Sequence, residues 1–90
     1  MFTLGYTKQF KKDYKRIEKQ NKDLKKLHKV FILLEETGDL TADKYKTHQL
    51  KGDYKDHREA HISPDWLIIW LPQADNKISL VRTGSHSELF

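Results

Sequence analysis

The sequence contains no cysteine, only two prolines and four glycines, and no long run of apolar residues. The absence of cysteine excludes a disulfide framework and any zinc site built on thiolates. A transmembrane helix needs about 18 consecutive apolar residues, and a signal peptide needs a shorter apolar segment near the N-terminus. Neither is present, so we expect a cytoplasmic protein that does not associate with a membrane.

What is present is enough for one folded domain, residues 1–90. A chain of this length buries roughly two-thirds of its unfolded surface, which allows one modest core. Two tryptophans, four tyrosines and four phenylalanines supply apolar surface for that core. General disorder is therefore not expected.

Positive charge is concentrated near the N-terminus. Residues 7–29 hold ten Lys or Arg against three acids, and the rest of the chain holds seven against ten, which leaves a net charge of +4. A basic half favours a polyanion partner such as RNA or DNA. A solvated, lysine-rich helix face explains the same charges, and charge alone does not decide between the two.

Apolar spacing predicts a first strand and then two helices. The segment MFTLGYT alternates in the manner of a short strand. A helix is predicted from residue 8 to about 20 with Thr7 as its N-cap, and a second helix between a cap at Asn21 and Gly38. Helices joined so closely form an antiparallel hairpin. Residues 39–55 have no clean period and are predicted to form a functional or mobile loop.

Three strands are predicted after that loop, over residues 56–62, 66–71 and 77–83. Their short connections indicate an antiparallel meander. The segment WLIIWL is apolar on both faces, so it is predicted to be the central strand. The expected fold is therefore α+β, in the order β-α-α-β-β-β, with an antiparallel sheet and the helical hairpin packed on one face. The other face is free to form a site above an apolar floor.

Candidate catalytic residues cluster around the segment HREAHISPDW. In a strand, His57, Glu59 and His61 would share one face. Asp65 belongs to the following turn and must lie near His61. Two further histidines are placed by the fold, His48 in the predicted loop and His86 directly after the last strand. The sequence leaves open whether His86 converges with His61.

A pair of histidines can cleave RNA without a metal or another cofactor. One acts as a base on the ribose 2′-hydroxyl, whose oxygen attacks the adjacent phosphate, and the other protonates the leaving 5′-oxygen. Arg82 or Lys51 would stabilise negative charge on the phosphorane. Phe90 would stack on a base.

Each of these residues also has a structural explanation. His48 could be an ordinary surface residue, His57 could pair with Glu59, Arg82 could form an ion pair within the fold, and Phe90 could contact the core. Three histidines and a carboxylate could also hold catalytic zinc, although their spacing matches no compact ligand motif. The basic half alone is compatible with a non-catalytic module that binds RNA or DNA.

The segments YKTHQLKGDYKDHREAHISPDWLIIWL and LVRTGSHSELF resemble the YafQ branch of the RelE-type toxins. The N-terminal half matches only in its strand and its basic helix pair. The resemblance implies a RelE-like small ribonuclease fold, cleavage of mRNA at the ribosome, and a cognate antitoxin that forms a hetero-oligomer with an otherwise monomeric toxin. It implies a catalytic set of His48, His61, Asp65 and His86, with Arg82 and Phe90 at the RNA.

Within this set we assign His48 as general base and His86 as general acid, with His61 and Asp65 orienting the reacting groups. One position departs from the pattern of relatives, because His57 stands where an aromatic residue is common. An additional titratable group is therefore expected at the border of the site.

Overall fold

The computed structural model describes all 90 residues, and the predicted α+β class is confirmed. In chain order the elements are β1 (Thr3–Tyr6), α1 (Lys8–Lys19), α2 (Leu24–Thr37), α3 (Ala42–Tyr45), β2 (His48–Gln49), β3 (Arg58–Ser63), β4 (Trp66–Gln73), β5 (Lys77–Gly84) and α4 (His86–Leu89). A 3-10 turn, Gly52–Tyr54, precedes β3. No helix has the length and apolar character needed to cross a membrane.

The five strands form one sheet in the order β1-β5-β4-β3-β2. The predicted meander is confirmed, because β3, β4 and β5 pair antiparallel and β4 is the central strand. The prediction of a purely antiparallel sheet is wrong at one edge, where β1 pairs parallel with β5. Parallel neighbours need a long connection, and here it includes the helical hairpin and the rest of the sheet.

The helix boundaries follow local capping chemistry. Thr7 caps α1 as predicted, and its hydroxyl accepts a hydrogen bond from the N–H of Phe10 at 3.0 Å. The predicted cap of α2 at Asn21 is wrong, because Asp23 accepts the N–H of Lys25 at 3.1 Å. Asn21 instead has φ +58° in the connection between the helices. Side-chain oxygens at the N-cap satisfy backbone donors that the first helical turn leaves free.

Gly38 ends α2 as predicted, and two features of its position favour glycine. Its φ of +80° lies in the left-handed region, which side chains with a Cβ rarely adopt. The ring of Phe2 also occupies the space that a Cβ would need. The first strand therefore packs directly on the end of α2.

Aromatic contacts show that α1 and α2 form the predicted antiparallel hairpin. The rings of Tyr14 and His28 stack with centroids 6.3 Å apart, and those of Phe10 and Phe31 lie 6.1 Å apart. The earlier residue of α1 contacts the later residue of α2, so the helices run in opposite directions. The exposed lysines of this hairpin lie on its outer surface.

Both faces of β4 are buried, which explains the apolar character of WLIIWL. Trp66, Ile68 and Trp70 face the helices and join a core with Phe10, Ile17, Leu27, Val30 and Leu34. Leu67 and Ile69 face the other way and pack with Leu89 of α4, next to Leu50, Tyr54 and Val81. This second cluster is the apolar floor predicted for the open face of the sheet.

The segment between α2 and β3 is more ordered than its sequence predicts. Residues 39–55 contain α3, β2 and the 3-10 turn rather than an irregular loop. β3 begins at Arg58, two residues later than predicted. The chain is still turning before it, because Asp56 has φ +69° and the N–H of His57 donates to the carbonyl of Tyr54.

Side chains of α1 complete the outer edge of β5. β1 pairs with β5 only as far as Leu80. Beyond it, the hydroxyl of Thr7 donates to the carbonyl of Val81, and Arg16 donates to the carbonyl of Thr83 at 2.7 Å. Asp13 accepts the N–H of Thr83 at 3.1 Å. Backbone groups that no strand pairs are thus satisfied just before the chain reaches His86.

Candidate active site

Three of the four predicted catalytic residues meet at one end of the sheet. β3 ends at Ser63 and β4 begins at Trp66, so the turn between them includes Asp65. Leu67 near the start of β4 pairs with Gly84 at the end of β5. The residues after Gly84 therefore lie beside the turn.

Two contacts join Asp65 to His86. The backbone N–H of His86 lies 3.2 Å from Oδ1 of Asp65, and Nδ1 of the ring lies 3.4 Å from the same oxygen. The backbone N–H, followed by the ring, lowers the pKa of Asp65. An ionised carboxylate only accepts hydrogen bonds, so Nδ1 of His86 carries a proton. Nε2 then remains available to a substrate.

His61 lies next to His86, with ring centroids 5.8 Å apart and an angle of 48° between the rings. The structure thus brings together two histidines whose convergence the sequence left open. Nδ1 of His61 is buried and has no hydrogen-bond partner. An unpaired buried polar atom of this kind is costly to the fold.

His48 approaches the same face from the edge of the sheet. It lies opposite Glu59 in the pairing of β2 with β3. Glu59 precedes His61 by two residues, which is roughly 7 Å along the strand. Its Nε2 is 3.2 Å from Oε1 of Glu59, and its Nδ1 is 3.0 Å from the carbonyl oxygen of Lys46. The carbonyl can only accept, so Nδ1 donates to it.

Glu59 is a site residue that the sequence interpretation missed. Its side chain is only 5% exposed and forms an ion pair with His48 when that ring is protonated. The alternation of β3 correctly placed Glu59 on the face of His61, but the suggested pairing with His57 is wrong. Nδ1 of His57 instead contacts the carbonyl of Lys55, and its ring packs edge-on against Tyr54.

Arg82 is held within the fold rather than directed freely to solvent. Its Nε and Nη2 donate to the two carboxylate oxygens of Asp13 at 2.8 and 3.3 Å. These hydrogen bonds raise the pKa of Arg82. The guanidinium of Arg82, on β5, is therefore a positive charge whose position is fixed by Asp13 of α1. Its contact with RNA stays a prediction.

The other two predicted RNA-binding residues differ in their surroundings. Phe90 is 62% exposed, and its ring lies between those of Tyr54 and His86, at 5.8 and 6.4 Å. It therefore has an open face beside the histidines. Lys51 is exposed at the start of the 3-10 turn and forms no ion pair.

A groove of about 400 Å³ borders His61 on the side of the Ser63–Pro64 turn. Lys44 and Lys46 line its wall. The ammonium groups of two lysines beside a histidine are suited to contact phosphate oxygens of a nucleic acid. The sequence interpretation did not single out either lysine, because both lie in the segment without a clean period.

The ionisable groups do not form an evident metal site. No three His, Asp or Glu side chains lie together in a way that could hold a metal ion. His61, His86 and Asp65 lie close together, and Asp65 already accepts hydrogen bonds from His86.

Comparison with known proteins identifies one family that the chain matches over almost its whole length. The family described as "Bacterial toxin of type II toxin-antitoxin system, YafQ" matches residues 2–90. The mRNA interferase toxin YafQ of Escherichia coli K12 is 40% identical over 88 residues, which cover 97% of this chain and 94% of the relative.

Solved structures give the same result. A metal-bound toxin from Helicobacter pylori has a TM-score of 0.88 at 47% identity, and the match covers all of both chains. The match to the E. coli DinJ–YafQ complex has a TM-score of 0.86 at 38% identity and covers 100% of this chain and 99% of the other. Similarity of sequence and of fold thus extends over the whole chain.

Proposed function

Because this chain belongs to the YafQ family of type II toxins, we propose that it is a metal-independent endoribonuclease that cleaves mRNA at the ribosome. The observation that supports this best is the convergence of His61, Asp65 and His86 on the face that also contains His48. Histidines backed by carboxylates are suited to move protons near neutral pH.

In the proposed reaction His48 is the general base. Because Nδ1 of His48 donates to the carbonyl of Lys46, the neutral ring has its lone pair on Nε2. Nε2 accepts the proton of the ribose 2′-hydroxyl, and the 2′-oxygen attacks the adjacent phosphorus. Glu59 lies 3.2 Å from the same nitrogen and can accept from it only when the ring is protonated, so the 2′-hydroxyl must take the place of Glu59 at Nε2 before the transfer. Glu59 then stabilises the positive ring.

His86 is the proposed general acid. It starts as the imidazolium with a proton on each ring nitrogen: Nδ1–H faces Asp65, and Nε2–H donates its proton to the departing 5′-oxygen. The bond between phosphorus and the 5′-oxygen breaks as that proton is transferred. The products are an upstream fragment with a 2′,3′-cyclic phosphate and a downstream fragment with a 5′-hydroxyl. His61 and Asp65 orient the reacting groups, and Phe90 stacks on a base.

The partners follow from the same proposal. The exposed lysines of α1 and α2 contact ribosomal RNA, while Lys44, Lys46 and Lys51 contact the message. The relative in E. coli forms a complex with DinJ, and we propose a cognate antitoxin here as well. The free toxin is a monomer in the cytoplasm and forms a hetero-oligomer with that antitoxin.

The function is tested by the chemistry of the product ends. Ribosomes with a labelled message in the A site are mixed with the protein, and both fragments are analysed. We expect a 2′,3′-cyclic phosphate and a 5′-hydroxyl, and no cleavage of a control message with one 2′-deoxy nucleotide at the cut position. Salt-sensitive binding without any cleavage would instead indicate a non-catalytic module.

Removal of metal ions is expected to leave cleavage unchanged. The reason is that the proposed proton transfers use only histidine side chains. The measurement is the cleavage rate after dialysis against EDTA, compared with protein that has been reloaded with zinc or copper. A rate that falls after dialysis and returns with one ion would contradict the proposal and favour a metal-dependent hydrolase.

A further inference from the structure

Glu88 connects the short helix α4, which begins with His86, to side chains at the C-terminal end of α1. Oε2 of Glu88 lies 3.0 Å from Nε of Arg16 in an ion pair, and Gln20 donates to the same oxygen at 2.9 Å. Oε1 accepts the backbone N–H of Ser85 at 2.8 Å. The N–H of Ser85, followed by the amide of Gln20, lowers the pKa of Glu88, and the charge of Arg16 adds a smaller effect in the same direction.

Glu88 also holds the first turn of α4 in its helical form. The hydroxyl of Ser85 accepts the N–H of Glu88, and the carboxylate of Glu88 accepts the N–H of Ser85, which together make a capping box. A helix of four residues is not stable by itself in water. The turn that contains His86 therefore depends on these contacts and on Leu89, which is buried against the apolar floor.

Because residue 84 is a glycine, the side chains of Arg16 and Glu88 can approach the backbone closely at this position. Its φ is +154°, and a Cβ at this position would collide with the guanidinium of Arg16 and the carboxylate of Glu88. The segment RTGSHSELF thus contains Gly84, the N-cap Ser85 and the acid Glu88, which lie close together in space. Arg16 is itself anchored, because it pairs with Asp13 at 2.9 Å and donates to the carbonyl of Thr83.

Apart from ring contacts with His61 and Phe90, the side chain of His86 has few restraints. Its side chain is 57% exposed, and the one hydrogen bond of its ring, to Asp65, is long at 3.4 Å. The position of the ring is therefore set mainly by the backbone of residues 85–88, which Glu88 fixes against α1.

We propose that Glu88, held by Arg16, is a positioning residue that sets the ring of His86 relative to His61 and Asp65. This inference rests on the proposed function, in which His86 donates the proton to the leaving group. Glu88 does not touch the RNA. It acts through the backbone of α4 by restricting where the acid can lie.

The test compares Glu88→Ala and Glu88→Gln with the matched control Glu36→Gln, an exposed residue of α2. Under single-turnover conditions Glu88→Ala is expected to lower the maximal cleavage rate roughly 10-fold, less than the 10²-fold that a 1 Å displacement can cost. Glu88→Gln keeps an acceptor for Ser85 but loses the charge that faces Arg16, so a smaller loss is expected. KM of both Glu88 variants should stay close to that of the parent. The control variant should keep both the rate and the KM of the parent.

Two further measurements separate a positioning role from a general structural one. In a His86→Ala background, Glu88→Ala should cause no additional loss of rate, because the residue through which it acts is gone. An additive loss would overturn the proposal. In NMR spectra of the free protein, cross-peaks between ring protons of His61 and His86 should weaken in Glu88→Ala and in Glu88→Gln.

The NMR measurement needs no RNA, so it distinguishes failure of this inference from failure of the proposed function. A parent protein that cleaves nothing, together with weakened ring contacts in the variants, would overturn the ribonuclease proposal and support the positioning of His86 by Glu88. Unchanged ring contacts in both variants would overturn the positioning role whether or not the parent cleaves RNA.

Discussion

Replacement of His86 by alanine is expected to lower the rate of RNA cleavage by about 10²- to 10⁴-fold, the range typical for loss of a general acid or base. The reason is that Nε2 of His86 is the one ring nitrogen in the Asp65–His86 pair that is free to meet the leaving oxygen. The measurement is the single-turnover rate on programmed ribosomes. KM should change little if the ring acts in the chemical step.

His57→Ala is the matched control for this variant. His57 is a histidine at the border of the same face, but it contacts Tyr54 and Lys55 rather than Asp65. Its replacement should leave the rate close to that of the parent. Because the side chain of His86 is 57% exposed, His86→Ala should also keep its thermal unfolding transition. A folded His86→Ala protein that cleaves at the parental rate would show that another group supplies the proton.

Asp13→Ala is expected to lower the free energy of unfolding by about 3–5 kcal/mol, the cost of breaking a buried ion pair by removing one partner. The carboxylate of Asp13 is completely buried and accepts hydrogen bonds from Arg82, Arg16, Gln9 and the N–H of Thr83. Its removal leaves two guanidinium groups and a backbone donor without this partner. Chemical denaturation at neutral pH measures the effect.

The matched variant Asp13→Asn separates charge from hydrogen bonding. Asparagine keeps one acceptor oxygen, so its loss of stability should be smaller than that of alanine. A small domain has only about 5–15 kcal/mol of stability in total, so the alanine variant should lose a large fraction of it. An alanine variant as stable as the parent would mean that Arg82 and Arg16 find other partners or water.

The same network should make the protein sensitive to acid. Burial would raise the pKa of Asp13, but hydrogen bonds from Arg82, Thr83, Gln9 and Arg16 together lower it below its ordinary value of 3.8. A carboxyl whose pKa is lowered on folding stabilises the protein above that ordinary value, and the stabilisation is lost as pH falls through the folded pKa. Asp13→Asn should therefore show a weaker loss of stability in acid than the parent.

The basic residues of helix α1 are of two kinds, which its composition does not distinguish. Most of its basic residues are exposed and available to a polyanion. Arg16, by contrast, is paired with Asp13 and Glu88 and supports the end of the sheet where the candidate catalytic residues lie. A count of charges along the sequence overestimates the exposed basic surface, because it includes such internal pairs.

The sequence by itself determined the elements that depend on neighbouring residues. The continuous apolar run WLIIWL identified the central strand. The cap at Thr7 and the stop at Gly38 bounded helices, and the turn after His61 contains Asp65. Each of these is a local property, because a helix repeat, a cap or a turn involves residues a few positions apart. The ordered blocks around His48, His61 and His86 also indicated the correct family.

Tertiary structure decided which distant groups meet. Glu59 pairs with His48 rather than with His57, because two residues of β2 form an edge strand that the pattern of residues 39–55 does not reveal. Arg82 pairs with Asp13, 69 positions away in the chain. Such pairings depend on strand order and register, which are set by burial of the whole core. The same sheet geometry brings the end of β5 to the start of β4 and so places His86 beside His61.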